Sequence, residues 1–177
     1  MQWYNEPETW AATDDEVRLT VPGDTDCWRV TRHDFVADDA PFYYRAVDGD
    51  FTATVRVTGD YDDQYDQVGL MVRESETHWL KCGVEVLDGV QQASAVLTRD
   101  YSDWSVLPLE EAPGPVWVRV ERIGATLEVS YSLDGVDYTM IRQGYLSDAD
   151  ALQVGLMAAA PQGDGFEAVF EEFTVEQ

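Results

Sequence analysis

Lysine is almost missing from this sequence of 177 residues: Lys81 is the only one, beside ten arginines. These eleven basic residues face 35 acidic ones, so the net charge at pH 7 is −24. A field this negative repels nucleic acids and anionic membranes, and we expect neither as a partner. The acids are scattered through predicted loops, and aromatic residues make up 12% of the chain. The composition therefore excludes an acidic disordered segment.

An acid-rich and lysine-poor surface on an ordinary apolar core is typical of proteins from salt-in halophiles. In such cells, concentrated cations screen the self-repulsion that would otherwise destabilise the compact state. We therefore predict a halophilic protein. The alternative is an acidic protein that does not depend on salt.

Cysteine and long apolar runs are scarce too. Two cysteines, Cys27 and Cys82, do not make a disulfide framework. No apolar run approaches the roughly 20 residues of a membrane span. The first residues, "MQWYNEPETW", have neither the basic nor the apolar region of a signal peptide. We expect a cytoplasmic protein with two reduced thiols.

No stretch shows a sustained helical period, whereas apolar and polar residues alternate along most of the chain. This alternation is typical of strands with one buried face. The clearest examples are "EVRLTVPG", "DFTATVRVTGD", "DQVGLMVRE" and "WLKCGVEVLDG". The pair Asp134-Gly135 marks a tight hairpin turn, because it tolerates positive φ angles. We predict an all-β protein in which residues 1–177 form a single domain, a sandwich of two antiparallel sheets.

Several segments resemble known proteins. The C-terminal run "VWVRVERIG…LEVSYSLDGVDYTMIR…LQVGLMAAAP…GFEAVFEEFTV" resembles the concanavalin A-like lectin/glucanase jelly roll. More narrowly, "FYYRAVDGDFTATVRV", "YDQVGLMVRESETHWLKCGVEVLDG" and "TRDYSDWS" resemble a family of unknown function in that superfamily, which includes a fungal protein named for regulating enolase. Cys27 departs from the pattern, since the family more often has an aromatic residue there. The resemblance implies a concanavalin A-like jelly roll and no established activity, so function has to be argued from a site.

The stretch "WLKCGVEVLDG", residues 79–89, places apolar side chains on one face of a strand and two charged ones on the other. By its period of two, Lys81 and Glu85 project from the same face, about 13 Å apart, too far for a direct ion pair. Gly83 between them leaves backbone open to an approaching group. We expect these residues to line an open cleft on the concave sheet, where the resemblance implies that lectins and glucanases hold sugar.

Strand parity and the neighbouring segments supply the candidate ligand-binding residues. They are polar or aromatic side chains assigned to the concave face: His33, Gln67, Arg73, Trp79, Lys81, Glu85, Thr98 and Trp104. Polar groups would orient a sugar while a ring supplies apolar contact. The alternative is a set of cross-strand ion pairs, each worth about 0.2–1 kcal/mol. For Lys81 the two interpretations are balanced, because a chain that uses arginine elsewhere has kept a compact ammonium here.

Residues for catalysis or metal binding are sparse. A glycosidase needs two carboxylates about 5–5.5 or 6.5–9.5 Å apart, the glucanase pattern Glu-x-Asp-x-x-Glu is absent, and Glu74 and Glu76 fall in a predicted turn. Two histidines and two distant cysteines do not have zinc-ligand spacing. The acidic loop 60–66 lacks the glycine and glutamate of an EF-hand. Because the resemblance implies that related sandwiches bind calcium, calcium binding by this loop is the alternative. We predict no catalytic residue, no metal and no cofactor.

Three functions are ranked on this basis. The first is a non-catalytic intracellular domain that binds a carbohydrate or carbohydrate-like small molecule on the concave sheet, through Lys81, Glu85 and Gln67 with Trp79 or Trp104. The second, implied by the resemblance, is a regulatory or interaction protein for a metabolic enzyme such as enolase. The third is a glycoside hydrolase. The oligomeric state is left open.

Overall fold

The computed structural model describes residues 1–109 and 114–177. Within these ranges the chain forms sixteen strands and no helix, so the prediction of an all-β protein is confirmed. The strands are β1 (Gln2–Tyr4), β2 (Trp10–Ala12), β3 (Glu16–Pro22), β4 (Cys27–Arg29), β5 (Val36–Asp38), β6 (Phe42–Asp48), β7 (Phe51–Gly59), β8 (Gln67–Arg73), β9 (His78–Leu87), β10 (Val90–Arg99), β11 (Tyr101–Pro108), β12 (Val116–Ile123), β13 (Thr126–Ser132), β14 (Thr139–Tyr145), β15 (Ala151–Ala159) and β16 (Gly165–Glu176). None of the described residues belongs to a helix that could cross a membrane.

Two seven-stranded sheets stack into the predicted antiparallel sandwich. The front sheet has the order β1-β6-β15-β8-β9-β10-β11, and the back sheet has the order β14-β13-β12-β7-β16-β3-β2. β4 and β5 form a separate two-stranded sheet. The main core lies between the front and back sheets, where valine, leucine and phenylalanine from both interdigitate. Burial alternates strictly along β12 and along most of β7, because the outer face of the back sheet meets solvent.

The central strands of the front sheet behave differently. All seven residues of β8 are buried, although their sequence alternates. The reason is a second apolar cluster on the outer face of this sheet, formed by Cys27, Ala40, Phe42, Met71, Trp79, Val96, Met157 and Ala159. Two of its members come from residues 24–40, which contain β4, β5 and their connection and which we call the covering hairpin. The centre of the front sheet is therefore buried on both faces.

Two ion pairs fasten the covering hairpin to the front sheet. Asp38 accepts two hydrogen bonds from the Arg73 guanidinium, at 2.6 and 2.7 Å, and Asp26 accepts one from Lys81 Nζ at 2.7 Å. The backbone N–H of Arg29 also donates to the Ser102 hydroxyl at 2.9 Å. Each end of the hairpin is thus held by a buried cation from the sheet beneath it.

Candidate functional site

A cavity of about 320 Å³ opens between the covering hairpin and the front sheet. Its floor comes from β8 and β9, one wall from the hairpin, and the other from β11 and two loops. The lining residues are Asp26, Trp28, His33, Phe35, Tyr65, Gln67, Lys81, Glu85, Trp104, Pro161 and Gln162. His33, Phe35 and Gln162 are exposed, so the mouth of the cavity faces solvent.

Lys81 stands at the centre of the floor and is only 3% exposed. Its ammonium donates to Asp26 Oδ1, and a lysine ammonium can donate three hydrogen bonds. Burial by itself lowers the pKa of Lys81, but the carboxylates of Asp26 and Glu85 outweigh it and the pKa is raised. The side chain is therefore a charged donor with capacity left for a ligand.

Glu85 lies two positions beyond Gly83 on the same face and is 6% exposed. Its Oε2 accepts hydrogen bonds from the Ser94 hydroxyl at 2.5 Å and from Trp104 Nε1 at 2.9 Å. Burial raises the pKa of Glu85, although Lys81 and these two donors oppose the shift. Within the described chain both hydrogen bonds to this carboxylate are to Oε2, which leaves Oε1 as an acceptor beside the cavity.

Gly83 separates the two charged residues and faces Gly69 on β8. A Cβ at Gly83 would lie 2.0 Å from the carbonyl oxygen of Val68, a distance that real atoms do not reach. The two strands therefore require glycine for their close approach, and the half-buried backbone of Gly83 forms a shallow depression between Lys81 and Glu85. The steric need for glycine comes from strand-to-strand packing and adds to the open backbone that the sequence predicts at Gly83.

Three aromatic rings form much of the cavity wall. Trp28 and Trp104 meet edge to face, with centroids 6.5 Å apart and planes at 90°, and Tyr65 meets Trp104 at 6.3 Å and 73°. The indole of Trp28 is fixed because its Nε1 donates to the Thr31 carbonyl. Tyr65 has a φ angle of 70°, a region that non-glycine residues seldom adopt. These rings are held in place before any ligand binds.

The structure brings five of the eight predicted binding residues together around the cavity: His33, Gln67, Lys81, Glu85 and Trp104. The other three, Arg73, Trp79 and Thr98, lie on the predicted face of the sheet but outside the cavity. Arg73 pairs with Asp38 and packs over the Tyr4 ring. Trp79 is buried in the outer-face cluster, and Thr98 hydrogen-bonds Ser102 at 2.8 Å. All three are covered, so they hold the hairpin and its neighbours to the sheet.

The observed cleft is covered by the hairpin, whereas the expected cleft was open. Lys81 and Glu85 do project from the same side of β9, and they do not pair with each other: Lys81 pairs with Asp26, and Glu85 accepts from uncharged donors. Instead of an open concave surface, however, the covering hairpin leaves a pocket with an almost fully buried floor. Strand parity indicates a face but cannot indicate a second layer on it.

Sequence reasoning missed six lining residues: Asp26, Trp28, Phe35, Tyr65, Pro161 and Gln162. Three of them belong to "TDCWRVTRHDF", whose mixture of aromatic and charged residues was the available signal. The segment has no alternation from which a facing side could be derived. The two strands of the covering hairpin are only three residues each, and Val30, Arg32 and Asp34 between them all have positive φ.

The carboxylates considered for catalysis or calcium binding lie in a turn and a loop, and their side chains do not line the cavity. Glu74 and Glu76 are exposed in the turn between β8 and β9. In the acidic loop, Asp66 is buried and its Oδ2 accepts the backbone N–H groups of Asp62 and Asp63, both at 2.9 Å. Burial raises the pKa of Asp66 despite these bonds. Across residues 1–109 and 114–177, no three histidine, cysteine or acidic side chains are grouped so as to hold a metal ion.

Comparison with known proteins gives matches that cover nearly the whole chain. Residues 3–177 match the family described as "Protein of unknown function (DUF1349)". The Saccharomyces cerevisiae protein named "Regulation of enolase protein 1" is 35% identical over 173 residues, which are 98% of this chain and 87% of the yeast protein. A crystal structure of a functionally unknown protein from Saccharomyces cerevisiae superposes with a TM-score of 0.95 at 34% identity, over 99% of this chain and 95% of that one.

More distant structures share the fold. The GH43 protein BlXynB from Bacillus licheniformis superposes with a TM-score of 0.73 at 18% identity, over 96% of this chain but 35% of that one. The carbohydrate binding module CBM66 from Bacillus subtilis superposes with a TM-score of 0.60 at 15% identity, over 99% of this chain and 95% of that one. The predicted concanavalin A-like jelly roll and the predicted family resemblance are both confirmed.

Proposed function

This chain belongs to the family described as "Protein of unknown function (DUF1349)", and on that premise we propose that it is a non-catalytic domain that binds a small carbohydrate or carbohydrate-like molecule. The ligand would lie in the cavity between the covering hairpin and the front sheet. The observation that carries the proposal is the placement of Lys81 and Glu85 on one cavity floor, each with hydrogen-bonding capacity left over, beside fixed aromatic rings.

The size of the cavity supports a compact ligand. Its volume of about 320 Å³ lies at the lower end of the range for small-molecule sites, which is about 300–1,000 Å³. The covering hairpin closes one side, so a long polymer would not lie along the sheet as it does on an open platform. A monosaccharide or the end of an oligosaccharide fits this description.

The chemistry of the floor suits hydroxyl groups. A sugar hydroxyl donates and accepts at once, so it can donate to Glu85 Oε1 while it accepts from Lys81 Nζ. Gln67 donates its own amide to the Tyr65 carbonyl at 3.1 Å, which orients its side chain beside them. Trp28 and Trp104 supply the apolar surface that a sugar ring requires.

Isothermal titration calorimetry with a panel of mono- and oligosaccharides that includes amino sugars, in molar KCl, tests this function. We expect a member of the panel to bind, and Glu85→Gln or Lys81→Met to weaken it at least about tenfold, since each loses a charge-assisted hydrogen bond. The exposed Glu76→Gln is the matched control and should bind like the wild type. No binding across the panel would contradict the proposal, and release of reducing sugar would contradict its non-catalytic part and favour a hydrolase.

A second candidate function is regulation of a metabolic enzyme. It is favoured by the identity of 35% with a protein named for regulating enolase, over 98% of this chain. Sedimentation velocity of this protein mixed with purified enolase should then show a complex, and an enolase assay should change on its addition. Unchanged sedimentation and unchanged rates at low and at molar salt would refute this candidate. For both functions we propose a cytoplasmic location, in keeping with two buried free thiols.

A further inference from the structure

We infer that the ligand of this cavity carries a positive charge, as a hydroxylated amine or a quaternary ammonium compound, with its charged group against the aromatic wall. The inference rests on the proposed function, because it assigns a charge to the molecule that the cavity binds. The floor would hydrogen-bond the hydroxyl groups of the ligand, and the aromatic wall would bind its cationic group.

The charges of the cavity favour a cation. Two carboxylates, Asp26 and Glu85, and one ammonium, Lys81, line it. Lys81 is paired with Asp26, so the ionised form of Glu85 has only uncharged donors in contact with it. With Glu85 in that form the floor carries one negative charge in excess, inside a protein whose net charge is −24. A monovalent cation would balance that charge, whereas an anionic ligand would be repelled.

The aromatic wall offers the recognition surface that organic cations use. Ammonium groups are attracted to the faces of tryptophan and tyrosine within about 6 Å of the ring centroid. Trp28, Tyr65 and Trp104 meet at steep angles, so they form an angled wall rather than a flat platform. The Nε1 atoms of Trp28 and Trp104 are engaged in hydrogen bonds, which fixes both rings.

Elsewhere in the molecule, aromatic faces are already covered by arginine. The pairs are Arg56 over Trp117, Arg73 over Tyr4, Arg99 over Tyr145 and Arg119 over Tyr138. Each of these pairs lies outside the cavity. In the part of the chain that the structure describes, no arginine or lysine packs over Trp28, Tyr65 or Trp104. The cavity therefore combines aromatic faces that carry no internal cation with an excess negative charge.

Choline and its carbon isostere 3,3-dimethylbutanol separate charge from shape. Both have three methyl groups and one hydroxyl group, but only choline is charged. Titration calorimetry at a fixed, moderate KCl concentration should show choline binding at least about tenfold more tightly than the isostere, the ratio expected for a partly desolvated cation–π site. The same titrations with glucosamine and glucose compare a charged and a neutral sugar of similar shape.

Variants of the wall residues test whether the aromatic rings bind the cation. Trp28→Leu should weaken choline binding about fivefold or more and leave the affinity for the isostere nearly unchanged, while Trp28→Phe should retain most of it. Trp117→Leu makes the same replacement on the outer face of the back sheet and should bind choline like the wild type. Thermal unfolding of each variant shows that the fold is intact.

The outcomes separate the two proposals. Equal affinities for choline and its isostere would overturn the inference. Binding of neutral sugars without binding of choline or glucosamine would also overturn it and leave the proposed function standing. Binding of choline but of no sugar, charged or neutral, would support a cation site and overturn the proposed carbohydrate function. If nothing binds, both proposals fail.

Discussion

Removal of the only lysine is the sharpest test of how the cavity is built. In Lys81→Met the methionine fills the space of the aliphatic stem, but Asp26 loses its partner. The side chains of Lys81 and Asp26 are 4% and 15% exposed, and their charged atoms are 2.7 Å apart. Breaking a buried pair from one side costs about 3–5 kcal/mol. Asp26 keeps some solvent contact and the N–H of Cys27 at 2.7 Å, so we expect the lower value, about 3 kcal/mol.

The double variant Lys81→Met/Asp26→Asn distinguishes a lost ion pair from a packing defect. Because it removes both charges, it should recover most of the loss, with a coupling free energy of about 2 kcal/mol. Urea unfolding in molar KCl, followed by tryptophan fluorescence, measures all four proteins. A single variant within about 0.5 kcal/mol of the wild type, or a double variant as unstable as the sum of the singles, would refute the reasoning.

Three further predictions concern stability. Because the pKa of Glu85 is raised in the folded protein, the difference in unfolding free energy between Glu85→Gln and the wild type should not change with pH below the unfolded pKa of about 4.3. As pH rises through the folded pKa, the wild type should lose stability relative to the variant. A difference in urea unfolding that does not depend on pH would contradict this. Gly83→Ala should cost at least about 2 kcal/mol because its Cβ meets the Val68 carbonyl, while Gly114→Ala, whose Cβ has no atom of residues 1–109 or 115–177 within 4 Å apart from its chain neighbour, should cost almost nothing; equal costs would show that the close approach is not the cause. The thermal midpoint should rise by many degrees between low salt and molar KCl, since cations screen a net charge of −24, and a flat midpoint would refute the halophilic interpretation.

Alternation was a sufficient guide to the sandwich and to which face each strand presents. Val68, Leu70 and Val72 point into the core, while Gln67, Met71 and Arg73 point outwards, as their positions in "DQVGLMVR" predict. The same parity placed Lys81 and Glu85 on one face. These features depend on neighbours two residues apart, which a sequence displays directly.

The alternation of apolar and polar residues could not predict the covering hairpin. Its contacts join residues far apart in the chain, such as Lys81 with Asp26 and Arg73 with Asp38. Because one layer already accounts for an alternating pattern, nothing in β9 distinguishes a polar face that meets solvent from one that meets a second layer. Hence Trp79 and Thr98 were predicted to touch a ligand, whereas they pack beneath other residues.

One continuous segment supplies Asp26, Trp28, His33 and Phe35 to the cavity, and in the described part of the chain its strands β4 and β5 form a ladder of backbone hydrogen bonds only with each other. Neither seven-stranded ladder would lose a backbone bond if this segment were exchanged for another. Exchange of this one segment would therefore change most of one cavity wall, much as a new loop changes the binding surface of an antibody, while both ladders of the sandwich stay the same.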